Sequence, residues 1–342
     1  LPTFALLPSA LCLLPFALCL LPFAIHAMKR KISIVVSLLI LAFIYWKIDF
    51  KGLVGVFRAC DRRWMAISLG MVVPLTLMTA RRFQQLTPTS GRLGFGEANR
   101  LILAASVLNM VLPSKMGDIA KAYFIREKGY LSGSLSLSLV IFEKTCDMLS
   151  LLLWCALGLV LYPLADWIFQ LMTGSVVLGL VLGVSLLGSR RFAQVFFRGS
   201  RAIAPKKLKT KLTNLQTSWH EMQVYFWRDK TQLSKITATS IFIWFLHLLQ
   251  IWFFTLALKA SVPFLANLAL SPLAILAGLL PLTFAGVGTR DAALILFYQP
   301  FMDTPTAAAL GLLCTSRYLL PAIGGLPFLE QYLRKVRKFK NG

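Results

Sequence analysis

Val107-Leu108-Asn109-Met110-Val111-Leu112-Pro113-Ser114-Lys115-Met116-Gly117-Asp118 and Leu279-Leu280-Pro281-Leu282-Thr283-Phe284-Ala285-Gly286-Val287-Gly288-Thr289-Arg290-Asp291 share one plan. Each is an apolar run that reaches Leu-Pro, passes through glycine, and sets an aspartate at the head of a new apolar helix. Within hydrocarbon an unsatisfied backbone and a carboxylate are both expensive, so broken helix beside an acid marks a polar site inside protein. The repetition predicts a duplicated, substrate-handling element.

The surrounding composition sets the class. The 342 residues are 57% hydrophobic and 14% charged, with a mean hydropathy of +0.72, values that belong to an integral membrane protein. Uncharged stretches at 168–188 and 236–258 are long enough to cross about 30 Å of hydrocarbon at ~1.5 Å per residue. Residues 32–46 and 64–80 are shorter, with flanking Lys and Arg placed to snorkel. Strict alternation is missing from these runs, which argues against a β-barrel. The expected fold is an all-α, polytopic membrane helix bundle of about 6–8 spans. Two re-entrant or broken segments are read as an inverted repeat.

A net charge of +23 would point to nucleic acid in a soluble chain. Here no nucleic-acid motif accompanies it, and basic loops that set topology and meet anionic lipid heads account for it. Cys12, Cys19, Cys60, Cys146, Cys155 and Cys314 form no C-x-x-C pair and read as small packing residues. The three histidines lie far apart, so no metal or other cofactor is expected. His247, between Leu246 and Leu248, reads as a helix contact rather than a proton relay.

Residues 1–27 repeat with a period of seven, as Leu14-Pro15-Phe16-Ala17-Leu18-Cys19-Leu20 illustrates. A proline in every repeat breaks any helix, and no basic region precedes the run as a signal peptide requires. Met28-Lys29-Arg30-Lys31 before an apolar stretch is the better start. The repeat is read as translated tandem DNA upstream of Met28, the alternative being an additional anchor.

Charge predicts sidedness. Residues 190–235 carry eleven Lys and Arg against Glu221 and Asp229, and the tail 331–342 adds Arg334, Lys335, Arg337, Lys338 and Lys340. Both are expected in the cytoplasm. The segment 162–166 has no basic residue and is placed on the far side, between spans at 133–161 and 167–188. The basic loop 47–63 falls outside by alternation and violates the rule. Segments 81–100 and 121–128 both read as cytoplasmic, so 101–118 enters and returns. Residues 264–300 enter and return from the opposite face, and a plain crossing at 264–282 followed by a short helix is the alternative. The loop 189–235, with Leu208, Leu212, Leu215, Trp219, Met222 and Phe226, is amphipathic and is expected on the cytoplasmic membrane surface.

Glu143 and Asp147 lie four apart, on one face of the third span, with Lys144 between them and Ser134 and Ser138 along roughly the same stripe. They predict a lined polar cavity rather than helix glue. Arg317 stands among uncharged residues at mid-membrane depth and is expected to pair with Asp147, Glu143 or Asp291. Thr289 reads as a natural N-cap for the helix of Asp291, and Arg290 as a phosphate ligand aided by the amides of Gly286, Val287 and Gly288. No H-E-x-x-H, G-x-S-x-G or Walker A sequence occurs, and no soluble segment is long enough for a catalytic domain.

These motifs resemble the flippase-like family that includes the transmembrane region of lysylphosphatidylglycerol synthases. Its N-x3-P-x3-G-[DE]-x2-[RK] pattern is matched by Asn109, Pro113, Gly117, Asp118 and Lys121, and its E-[RK]-x2-D pattern by Glu143, Lys144 and Asp147. The late P-x4-G-x-G-x-[RK]-[DE] pattern is matched by Pro281, Gly286, Gly288, Arg290 and Asp291. Asp118 and Asp291 stand where Glu is more usual, and Lys121 and Lys144 where Arg is, so charge sign persists without the bidentate fork of arginine. The resemblance implies a multi-pass protein of the bacterial inner membrane, C-terminus cytoplasmic, that moves a phospholipid or lipid-linked headgroup. The partners it implies are anionic or aminoacylated phospholipids and a glycosyltransferase or lipid-synthesis protein. Asp118 and Asp291 would receive cationic parts of the headgroup, Arg290 and Lys121 its phosphate, and Glu143, Asp147 and Arg317 would gate. The rivals are a non-catalytic scaffold for a lipid-modifying or glycosyltransferase complex, and an enzyme acting on a polyprenyl-phosphate or phospholipid.

Overall fold

The computed structural model describes residues 50–88, 93–111, 117–162, 167–203, 206–279 and 288–341. Their regular structure is α-helix, without a strand among them. In chain order the helices are α1 (Phe50–Ala59), α2 (Arg62–Gly70), α3 (Val72–Leu86), α4 (Phe95–Val111), α5 (Gly117–Glu127), α6 (Gly133–Leu161) and α7 (Trp167–Gly188). They continue with α8 (Arg190–Ile203), α9 (Lys206–Arg228), α10 (Lys230–Ala257), α11 (Phe264–Gly278), α12 (Thr289–Tyr298) and α13 (Thr304–Asn341). The heptad repeat 1–27, the apolar stretch 32–46, Pro113, Pro281 and Gly286 lie outside the described residues.

Five stretches among the described residues are long and apolar enough to cross a membrane: Arg62–Leu86, Gly133–Leu161, Phe169–Gly188, Lys230–Ala257 and Thr304–Leu333. Side-chain caps open several of the helices. Asp61 accepts the amides of Arg63 and Trp64 before α2, Ser189 that of Phe192 before α8, Asp229 that of Gln232 before α10, and Asp303 that of Thr306 before α13. After α5 the chain turns at Gly129 (φ 73°), with Tyr130 N–H donating to Ile125 O and Gly129 N–H to Arg126 O. This is the paired bond pattern of a left-handed C-terminal cap. Lys259 (φ 57°) makes the same turn after α10 without glycine's freedom.

Two expected loops are helical. The basic segment 47–63 contains α1, and 189–235 contains α8, α9 and the start of α10. The apolar stripe of α9, expected on the membrane surface, is spent inside the protein. Leu212, Leu215, Trp219, Met222 and Phe226 are buried, with Phe142 of α6 stacked on Phe226 at 4.5 Å and Phe197 of α8 at 6.2 Å from Trp219. Gln223 caps the last carbonyls of α7, donating to Leu186 O and Leu187 O.

The chain divides into two compact units. One comprises Leu1–Ser68, Leu151–Val181 and Leu248–Thr315. In it α11 and α12 pack on each other, and a Cβ on Gly158 would stand 2.4 Å from Ala269 O, so α6 and α11 touch backbone to backbone. Asn267, Ser271 and Tyr298 close a buried hydrogen-bonded triangle, while Asn267 Nδ2 donates to Leu248 O. The other unit comprises Leu69–Ser150, Leu182–His247 and Ser316–Gly342. In it α4 and α5 pack on each other, and Gly325 of α13 sits against Leu103 O of α4.

Each Leu-Pro segment thus separates two short helices that fold back together, one such hairpin in each unit. With 17 and 11 residues in the first and 15 and 10 in the second, all four fall short of the ~20 needed to span. The first hairpin is also tight. A Cβ on Gly117 would meet Ala105 O at 2.3 Å and Asn109 N at 2.6 Å, which is why this motif position takes glycine.

Candidate functional site: a closed ring of six charges

Helices α3, α5 and α6 bring six charged side chains into one circuit. Arg82 donates to Glu143 (3.3 Å), Lys121 reaches Glu143 at 2.5 Å and Asp118 at 3.2 Å, and Lys144 reaches Asp118 at 2.9 Å and Asp147 at 3.3 Å. A bond from Arg82 to Asp147 closes the ring. Three cations and three carboxylates alternate, so formal charge cancels within a single shell.

Spacing explains the assembly. Glu143 and Asp147 are one helical turn apart, and Asp118 and Lys121 are i,i+3 neighbours in the first turn of α5. Gly117 lets that turn press against α4. Burial then divides the ring: the Arg82, Glu143 and Lys121 side chains are 1–2% exposed, whereas Asp118, Asp147 and Lys144 reach 12%, 23% and 36%. The first three form a sealed floor and Asp147 and Lys144 an open rim, with the buried Asp118 bonded to both lysines.

Five ring members are those the motifs singled out, and Arg82 is the one sequence reasoning missed. It lies in the segment 81–100 expected in the cytoplasm, but α3 runs to Leu86 and buries Arg82 with Leu75, Phe83 and Leu86. Two signals were available. Arg82 lies seven residues from Leu75 and four from Leu86, on one helix face, and three acids against two lysines left one cation wanting.

The second motif builds a smaller pair in the other unit. Arg290 Nε and Nη2 donate to Asp291 Oδ1 (3.0 and 2.6 Å), and Nη2 also reaches Gly311 O and Thr315 Oγ1 of α13. Asp291 Oδ2 accepts the Gly288 amide at 3.1 Å. The N-cap of α12 is therefore Gly288 (φ 103°), not Thr289, because the turn needs a left-handed residue. Gly278 and Gly311 face this pair, a Cβ on the first falling 2.7 Å from Arg290 Cβ and on the second 3.0 Å from Asp291 Oδ1.

Arg317 departs from expectation. It is buried, yet no acid pairs with it among the described residues, because Arg82 holds Glu143 and Asp147 while Arg290 holds Asp291. Its Nη2 donates to Tyr318 Oη at 3.0 Å, and Nε and Nη1 have no partner. Asn109 Oδ1 is likewise buried without a donor. His247 lies 5.5 Å from the Trp244 ring, and Cys146, Cys155 and Cys314 are buried in helices. Among the described residues no cluster of His, Cys, Asp and Glu has the form of a metal site.

Comparison with known proteins gives the family of the chain. The profile described as the lysylphosphatidylglycerol synthase TM region matches residues 30–325. The chain belongs to this family. It is similar to a UPF0104 membrane protein of Methanocaldococcus jannaschii, 21% identical over 92% of this chain and 98% of that protein. It is also similar to a UPF0104 membrane protein of Methanothermobacter thermautotrophicus, 24% identical over 72% of this chain and 77% of that protein. As a member of the synthase TM-region family with long apolar helices, it is a multi-pass integral membrane protein.

Proposed function

We propose that this chain is a lipid flippase or transporter that carries a phospholipid or lipid-linked headgroup across the bacterial inner membrane, C-terminus in the cytoplasm. The observation that carries the reading is the six-charge ring with a sealed floor and an open rim. A purely structural salt bridge gains little over packed apolar side chains, since desolvation offsets attraction. A neutral ring that exposes Lys144 and Asp147, with Asp118 bonded to Lys144, offers a headgroup both signs of charge while its floor keeps the helices in place. Exchange of an internal ion pair for one with the headgroup conserves charge at each step, so a polar group passes without leaving an uncompensated charge in low dielectric. The acyl tails stay in lipid throughout.

Asp118 and Asp147 receive ammonium groups, as on an aminoacylated lipid, and Lys144 steers the phosphate. In the unit that does not hold the ring, Asp291 and Arg290 form an acid–base pair of their own. The decisive experiment reconstitutes the purified chain in liposomes with tail-labelled phosphatidylglycerol, phosphatidylethanolamine or lysylphosphatidylglycerol and adds a membrane-impermeant reductant. Loss of more than the outer-leaflet half of the signal, for at least one lipid, is the expected result. Protection of the inner leaflet for all three would overturn the reading and leave a scaffold or an enzyme.

A further inference from the structure

We propose that Arg317 is the residue that binds the phosphodiester of the transported lipid, a role that the motifs alone give to Lys121 and Arg290. The inference deepens the transport reading and rests on it for the identity of the ligand as a lipid.

An arginine keeps its charge at any physiological pH, so burial without an anion leaves the full desolvation penalty uncompensated. Among the described residues Arg317 is in that state: it is 4% exposed, Nε and Nη1 are buried without an acceptor, and a neutral phenol, Tyr318, receives Nη2. Tyr318 also lays its ring 5.0 Å from the guanidinium carbon, which orients the fork without neutralising it. By contrast Lys121 is paired with Asp118 and Glu143, and Arg82 with Glu143 and Asp147. Unfilled donors on a fixed positive charge suit an anion with several oxygens, and a phosphodiester supplies them.

The helix around Arg317 supplies a second, independent observation. Pro321 lies inside α13 four residues on and has no N–H to give the Arg317 carbonyl. The turn that carries the guanidinium lacks a helical hydrogen bond, and α13 bends most readily there. Pro327, with Gly324 and Gly325 before it, repeats the break further along. A buried cation on a turn that opens easily can admit a headgroup and close over it.

The test uses the full chain in a neutral detergent and reads the shift of unfolding temperature on titration with short-chain phosphatidylglycerol, the matching diacylglycerol, or inorganic phosphate. Phosphatidylglycerol should raise the temperature of the natural protein, and diacylglycerol should not. Arg317→Met, which removes the uncompensated charge, should unfold no lower than the natural chain without lipid and should bind phosphatidylglycerol about ten- to a hundred-fold more weakly. Arg317→Lys should fall between the two. Unchanged phosphatidylglycerol affinity in folded Arg317→Met or Arg317→Lys overturns the proposal. Inorganic phosphate binding as tightly as the lipid overturns the lipid assignment in favour of a soluble anion. Because binding is read without transport, Arg317-dependent binding with no scrambling would sink the transport reading alone. Scrambling with Arg317-independent binding would sink this proposal alone.

Discussion

At the scale of single residues, the floor and rim of the ring have different energetics. Glu143 is held by Arg82 and Lys121 with all three side chains sealed from solvent. Glu143→Gln leaves two buried cations short of an anion, a change of the kind that costs about 3–5 kcal/mol. Lys144 is about a third exposed, and its removal should cost no more than ~1 kcal/mol because solvent screens what remains. Thermal unfolding of the two purified variants should therefore show a large drop for Glu143→Gln and a small one for Lys144→Gln. An equal drop would mean that the ring is not divided in this way. Five ring members were legible in the sequence because their spacing fixes their faces. Arg82 was not, since an arginine at the end of an apolar run looks the same whether it snorkels outward or turns inward. Arg317 was legible as buried but not as unpaired, because pairing is decided by helices distant in sequence.

At the scale of elements, the two Leu-Pro hairpins owe their shape to small residues at contact points. Gly117→Ala would drive a methyl into Ala105 O at 2.3 Å. The backbone must shift, for about 1–3 kcal/mol of overpacking, and α5 would carry Asp118 and Lys121 away from α6. Gly96→Ala, on α4 with nothing within 4 Å, should leave stability unchanged or slightly raised. Comparing unfolding temperatures and scrambling rates of the two alanine variants checks the hairpin geometry. Lys259 pays for a left-handed turn that glycine adopts freely, so Lys259→Gly should stabilise α10 by roughly 1 kcal/mol, read as a higher unfolding temperature. The short paired helices flanking each Leu-Pro segment were legible because the segment interrupts an apolar run in the sequence. Helices α1, α8 and α9 were read as loops because their charge outweighs their apolar periodicity, and the partners that bury α9, Phe142 and Phe197, are remote in sequence.

At the scale of the whole molecule, contacts between distant segments hold each unit, and one of them predicts a response to acid. Glu97 of α4 accepts hydrogen bonds from Lys128, just after α5, and from Tyr332 of α13. Burial opposes ionisation of Glu97, but these two bonds hold its carboxyl below the usual glutamate range. Its contribution to stability is therefore complete above the ordinary glutamate pKa and is lost as pH falls through the lowered folded value. Glu97→Gln should flatten the acid side of the profile of unfolding temperature against pH, whereas an unchanged profile would remove Glu97 from the account. The net charge of +23 favours association with anionic bilayers, which should weaken with salt. The central claim is that the open rim of the ring moves a lipid headgroup, and the most direct measurement is lipid scrambling in liposomes by Asp118→Asn and the natural chain at equal folded amounts. The account predicts that Asp118→Asn inserts and unfolds within a few degrees of the natural protein while its scrambling rate falls about tenfold or more. An unchanged rate in well-folded Asp118→Asn would contradict it.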